Sequence, residues 1–185
     1  MRLVLGSKSP RRKEILENAG YKFEIVTSDV SEEVDASTIE EMSMKIVQKK
    51  ADAIFKLRSN DLIVCADTIV VINGEVLGKP HTKEECIEMI TKLQGNMHYV
   101  YTSVIVKSKN FEESFLEKTK VYISKMTKKE ILDYANTTEP YDKAGGYAVQ
   151  GIFAKYIRKI NGDFYNVMGL PINKLNKILK KQPFE

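Results

Sequence analysis

The chain has 185 residues, of which 43% are hydrophobic and 29% charged, with only 10 Gly and 5 Pro. This excludes collagen-like, low-complexity and disordered classes and fits one domain, residues 1–185, large enough to bury its own core. With 29 Lys and Arg against 25 Asp and Glu, the net charge of +4 permits nucleic acid as a partner without arguing for it, and suits small anionic substrates equally.

In chain order, Leu3–Gly6 reads as a short buried strand. Ser9 is then a candidate N-cap with Pro10 at N1, opening a helix whose apolar stripe of Ile15, Leu16 and Ala19 stops at Gly20. Residues 23–27 are strand-like, and an acidic loop follows. Ser37 and Glu40 then predict a capping box for a helix with Ile39, Met42, Ile46, Val47, Ile54 and Leu57 on its apolar face. Residues 62–66 form a continuous apolar run suited to a central strand, extended by 69–72 after Asp67-Thr68, with a turn at Asn73-Gly74. Thr82 and Glu85 predict the cap of another helix, closed by Gly95. Strands are expected over 99–106 and 116–123, then a short helix capped by Thr127 and Glu130 and a Gly-rich loop over 139–151. Residues 154–160 and 164–167 flank Asn161-Gly162, which predicts a hairpin, and Pro171 opens a last helix with Leu175, Ile178 and Leu179 inward. The interleaving predicts a mixed sheet with helices around it.

Five segments carry candidate chemistry. Ser7-Lys8-Ser9-Pro10-Arg11-Arg12-Lys13 sits at a strand-to-helix junction, where unpaired N–H groups and the helix dipole favour an anion and Arg forks suit phosphate. An ordinary capped helix with basic residues is the plain alternative. Asp67 ends an apolar strand, a place where Asp is disfavoured, and reads as a metal ligand, a general base or a structural acceptor. The loop bearing Asp29, Glu32, Glu33 and Asp35 holds hard oxygen donors, as does any solvated acidic loop. Gly78-Lys79-Pro80 permits close backbone approach with a point charge, or is a surface turn. The loop 139–151 gathers three Gly, two Tyr and Gln150, whose paired donor and acceptor suit a base edge. His81 and His98 lack a partner pattern and read as surface residues. Cys65 and Cys86 match no zinc spacing and read as reduced core residues. No apolar stretch approaches the ~18 residues of a membrane span, and the N-terminal apolar run is too short for a signal peptide, so the chain reads as soluble and cytoplasmic.

Together, SKSPRRKEIL, QKKADA, CADTIVVINGEVLGKP, VYTSV, EPYDKAGGYAVQG and INGDFYNVMGLP resemble, in order and spacing, the Maf family of nucleoside-triphosphate pyrophosphatases. Cys65 stands where the family often has Gly, and Gly146 and Ala148 replace the usual Ala and Gly. The resemblance implies a mixed α/β fold with a twisted mixed sheet, flanking helices and two lobes around a cleft, similar to the inosine-triphosphate pyrophosphatase fold. It implies hydrolysis between the α and β phosphates with Mg²⁺ or Mn²⁺, and a homodimer. The residues themselves argue for no membrane partner, and the acidic loop and lack of an interleaved basic-aromatic stripe count against nucleic acid. Carried onto this chain, Asp67 is the catalytic carboxylate and a metal ligand, and Glu32 is its acidic partner near the metal. Ser7, Arg11, Arg12, Lys50 and Lys79 line the triphosphate site; Thr68 beside Asp67 either positions it or donates to phosphate, and Gln150 remains the candidate for the base edge. Asp67-Thr68, Asp142-Lys143-Ala144-Gly145 and Gln150-Gly151 resemble the branch preferring dTTP and UTP rather than the one preferring 7-methyl-GTP. The alternative from a different class is a nucleic-acid-binding, septum-regulating protein.

Overall fold

A computed structural model describes residues 1–184. Seven strands form one mixed sheet: β1 (Leu3–Leu5), β2 (Glu24–Ile25), β3 (Leu62–Ile72), β4 (Glu75–Leu77), β5 (Met97–Ser108), β6 (Phe111–Ile123) and β7 (Ile157–Asn161). The order is β2-β1-β3-β5-β6-β7, with β4 pairing β3 as a side branch. β1 runs parallel to both β2 and β3, whereas β3/β4 and β6/β7 are antiparallel. The helices are α1 (Pro10–Asn18), α2 (Ile39–Leu57), α3 (Lys83–Leu93), α4 (Lys128–Ala135), α5 (Phe164–Met168) and α6 (Ile172–Leu179). Among the described residues no helix is long and apolar enough to cross a membrane.

The chain divides into two compact units. The first comprises residues 1–67, 102–117 and 169–185; the second comprises 68–101 and 118–168. In the first, Val4 of β1, Ile63 and Cys65 of β3 and Ile105 of β5 pack against Val47, Ala51 and Ile54 of α2. Leu3, Val4 and Leu5 are all fully buried, as expected of a parallel strand flanked on both sides. In the second, Cys86, Ile90 and Leu93 of α3 and Ile131, Tyr134 and Ala135 of α4 meet Val100, Val121 and Ile123 of the sheet. Phe153 completes this core, fully buried among the rings of Tyr134, Tyr147 and Tyr156.

Local signals place most helix starts. Ser9 Oγ accepts from Arg12 N–H at 3.4 Å with Pro10 at N1, Thr82 Oγ1 accepts from Glu85 N–H, and Thr127 with Glu130 makes a full capping box. The start of α2 is displaced by one residue from expectation. Thr38, not Ser37, has the extended backbone of a cap and accepts from Glu41 N–H at 3.1 Å, while Glu41 reaches back to Ser37 N–H. Leu57, expected on the apolar face, is exposed.

The hairpin expected around Asn161-Gly162 does not form. Residues 152–156 are a 3-10 helix, β7 pairs with β6 instead, and 164–168 are helical. Gly162 takes a φ of +133°, Asp163 Oδ1 then accepts from Asn166 N–H as a helix cap, and Thr119 on β6 bonds Asp163. The dipeptide turns the chain into a helix rather than back along itself.

His98 corrects another expectation: it is fully buried, 2.7 Å from Tyr147 Oη. Burial pushes its pKa down to about 3. An unfolded His titrates near ~6.5, so below that pH the unfolded chain binds one more proton than the folded one. Stability contributed by neutral His98 is therefore complete above ~6.5 and falls by about 1.4 kcal/mol per pH unit as pH drops toward 3. Glu24, Glu41, Asp61 and Glu130 all titrate below their ordinary carboxylate range, so the upper part of that window belongs to His98. The urea midpoint is expected to fall between pH 7 and pH 5, and His98→Gln to flatten that dependence. Equal slopes for parent and variant would show that His98 is not the titrating group.

Candidate active site

The site in the first unit follows from two periodicities. Along β3 alternate side chains share a face, so Asp67 follows Ile63 and Cys65 toward α2. Along α2, Lys50 lies within one turn of Val47, Ala51 and Ile54, on the side that meets β3. The result is a 2.7 Å ion pair from Lys50 Nζ to Asp67 Oδ1, with Asp67 only 13% and Lys50 20% exposed. A second carboxylate, Glu32, reaches the same ammonium at 2.7 Å through Oε1. Burial works against the charge on Lys50, but Asp67 and Glu32 outweigh it and hold the pKa above the ordinary lysine value.

The loop carrying Glu32 is not a cluster of convergent carboxylates. Lys49 Nζ donates to the Glu33 carbonyl and Lys45 Nζ to the Asp35 carbonyl at 2.7 Å, while Asp29 pairs with Lys8 at 3.0 Å. Thus Lys45, Lys49 and Lys50, spaced along α2, grip the acidic loop largely by its backbone and present Glu32 toward Asp67. The resemblance places Glu32 and Lys50 in one site with Asp67, but not the ion pairs that join them. The usable signal was the row of lysines on the helix following an acidic loop.

The junction between β1 and α1 supplies the remaining groups. Gly6 N–H bonds Val64 O at 2.8 Å, and a Cβ on Gly6 would collide with Cys65 Sγ, so glycine is required where the chain leaves the sheet. Ser7 Oγ accepts from Ser9 N–H at 3.2 Å and from Arg12 Nη1 at 3.0 Å. Arg12 Nε donates to the carbonyl of Gly169, which lies within the motif INGDFYNVMGLP, at 2.8 Å. Gly169 has a φ of +113°, open to glycine, which aims that carbonyl at the guanidinium. Burial pulls the Arg12 pKa below its ordinary value, and Arg11 adds to this, while Asp67, Cys65 and Glu32 pull the other way. Arg12 therefore senses both carboxylates of the Lys50 triad. Burial raises the Cys65 thiol to about 12, so it is neutral and no nucleophile near pH 7.

Ser7, Arg11, Arg12, Glu32, Lys50 and Asp67 all lie in the first unit; Thr68, Lys79 and Gln150 belong to the second. There, Thr68 is half-buried on β3, and Lys79 and Gln150 are exposed. Gly145 N–H bonds the Gly78 carbonyl at 2.9 Å, tying the segment before Lys79 to the loop that leads to Gln150. Gly145 has a φ of +70° and lies directly on Val70, so no side chain fits there.

For a divalent cation, the donor chemistry fits in a limited way. Two carboxylates already converge on one positive charge, the Lys50 ammonium, and hard oxygen pairs of this kind suit Mg²⁺ when phosphate and water complete its shell. Among the described residues no group of three or more His, Cys, Asp or Glu forms a protein-only cage.

An α/β protein with a mixed sheet, an Arg-bearing strand-to-helix junction and a lysine-bridged carboxylate pair has the equipment of a phosphate-handling protein. Comparison with known proteins is more specific. The family of Maf-like proteins matches residues 2–182, and the chain belongs to it. A dTTP/UTP pyrophosphatase of Thermoanaerobacter sp. (strain X514) is 46% identical, covering 98% of this chain and 97% of the relative. One from Caldicellulosiruptor bescii is 43% identical, covering 100% and 96%. Among solved structures, the Staphylococcus aureus Ham1 protein shares the fold at a TM-score of 0.53 and 14% identity, covering 99% of this chain and 100% of that one.

Proposed function

We infer that the chain is a nucleoside triphosphate pyrophosphatase acting on dTTP and UTP, releasing the monophosphate and pyrophosphate. The observation that carries this is full-length similarity at 46% and 43% identity to relatives named for that activity. The geometry of the first unit supports it. Phosphoryl chemistry needs positioning and neutralisation of negative charge more than covalent catalysis. Arg11, Arg12, the Ser7 hydroxyl and the N-terminus of α1 offer donors to phosphate oxygens. Water adds its oxygen to the α phosphorus, the bridging α–β P–O bond breaks, and pyrophosphate leaves.

In this reading Asp67 orients the attacking water and accepts its proton as the oxygen bonds to phosphorus. Lys50 holds Asp67 and Glu32 in place, and its ammonium offsets phosphate charge when substrate arrives. Asp67 and Glu32 would hold a divalent cation, Mg²⁺ or Mn²⁺, which when bound would supply Lewis-acid activation of water and neutralisation of phosphate charge. Thr68 and Lys79 add phosphate contacts, and Gln150 reads the pyrimidine edge with one donor and one acceptor. The working form is a homodimer in the cytoplasm; the free, buried thiols of Cys65 and Cys86 suit a reducing compartment.

The test is pyrophosphate release from dTTP, UTP, CTP, GTP and 7-methyl-GTP, with Mg²⁺ or Mn²⁺ and after chelation. The expected result is the highest kcat/KM on dTTP and UTP, abolished by chelator and restored by either metal. A purine triphosphate at the top would overturn the specificity, and silence on all five would overturn the activity.

A further inference from the structure

We propose that Glu139 is the positioning residue of Gln150, setting base selection through the backbone that follows it. The carboxylate of Glu139 closes a loop of the second unit on itself. Oε2 accepts from Ile152 N–H at 2.5 Å, and Oε1 accepts from Phe153 N–H at 3.1 Å and from the Tyr134 hydroxyl at 3.1 Å. These two N–H groups open the 3-10 helix Ile152–Tyr156, immediately after Gln150-Gly151. A carboxylate accepting from backbone N–H groups at a helix start makes charge-assisted bonds, stronger and more directional than neutral ones. Gly151 lies so close that a Cβ would strike the Glu139 carboxylate itself.

The other end of the loop is fixed by the same group of residues. The Tyr134 hydroxyl also faces the Gly146 carbonyl at 3.0 Å, so its one proton is shared between that carbonyl and Glu139. Lys143 Nζ donates to the Glu139 carbonyl at 2.7 Å. Residues 139, 143, 146, 152 and 153 therefore brace the segment from which Gln150 projects into solvent. Two hydrogen bonds of a side-chain amide to a base edge require that backbone to be held in one place, and Glu139 is what holds it. No substrate contact is assigned to Glu139; it acts through Gln150.

This rests on the reading of Gln150 as the base-recognising residue, so the experiment separates the two. The readout is the ratio of kcat/KM for UTP to that for GTP, in the parent, Gln150→Ala, Glu139→Gln and the double variant. Gln150→Ala is expected to lower the ratio about tenfold, as loss of one or two hydrogen bonds does. Glu139→Gln is expected to do nearly the same, because Ile152 and Phe153 N–H bond separate carboxylate oxygens and glutamine replaces one of these with an amide nitrogen that donates, while also losing the charge. The double variant is expected to lose no more than Gln150→Ala alone, the non-additivity of residues acting as one unit. A parent-like ratio in Gln150→Ala overturns base recognition by Gln150 and this inference with it. A lowered ratio there, with a parent-like ratio in folded Glu139→Gln or multiplied losses in the double variant, overturns the positioning role alone. Should Glu139→Gln fail to fold, Gly151→Ala decides: it displaces the carboxylate without removing charge, and an unchanged ratio would overturn the proposal.

Discussion

Asp67→Asn is expected to yield a folded protein whose pyrophosphate release from dTTP and UTP drops by about 10²–10⁴, the usual contribution of a positioned proton-handling group. The substitution keeps the volume and one carbonyl oxygen facing Lys50 Nζ, now 2.7 Å from Asp67 Oδ1. It removes the negative charge. Lys50 keeps Glu32 as an ionic partner, so the ammonium is not stranded and the cost to the fold is small. The comparison to make is kcat alongside the urea unfolding midpoint. A large fall in kcat at a parent-like midpoint places the effect in chemistry. A folded variant retaining most of its kcat would remove Asp67 from the reaction.

The largest stability effect is expected at Phe153. Its side chain is fully buried, with ring centroids 4.9 Å from Tyr134, 5.1 Å from Tyr147 and 5.4 Å from Tyr156. Truncation to Ala removes the centre of this aromatic cluster and leaves a cavity bounded by three rings that are themselves held in place. Tyr134 is fixed by Gly146 O and Glu139, and Tyr147 by His98, so collapse into the void is opposed. Phe153→Ala is therefore expected to cost about 3–5 kcal/mol, and Phe153→Leu less, since it keeps more of the volume. Urea titration of both variants measures this. A loss for Ala no greater than that for Leu would show that the site relaxes freely.

Much of the fold was legible because its signals are local. Thr82 with Glu85 and Thr127 with Glu130 lie three residues apart, and the geometry that makes them caps needs nothing beyond one helical turn. The apolar run ending at Asp67 also announced a buried strand with a carboxylate in an unusual place. Distant partners were not legible. His98 carries no mark of burial in its neighbours, because what encloses it includes Tyr147, 49 residues on. Asn161-Gly162 reads as a hairpin only while β6 is ignored; Thr119, 44 residues before Asp163, redirects the chain. At the site, the family motifs name the residues, including Glu32 as the partner of Asp67, but not the Lys50 ammonium that joins the two carboxylates. Glu32 and Lys50 are 18 positions apart on a loop and a helix, and only the packing of α2 on β3 brings both to Asp67.

The edges of the sheet also bear on how copies of the protein behave toward one another. An unpaired strand edge is a template on which another chain can add itself, and its hazard grows with length, flatness and lack of charge. One border here is β2, only two residues long, with Glu24 engaged by Arg2 and Arg58 at 2.7 Å each. The opposite border is β7, where Arg158 and Lys159 are exposed in the middle of a five-residue strand that shifts register against its neighbour. The side-branch strand β4 is only three residues long, with Glu75 paired to Lys92 at 2.7 Å. None of these edges offers a long, uncharged stretch for stacking, so strand addition between crowded copies, the first step toward fibrils, is disfavoured.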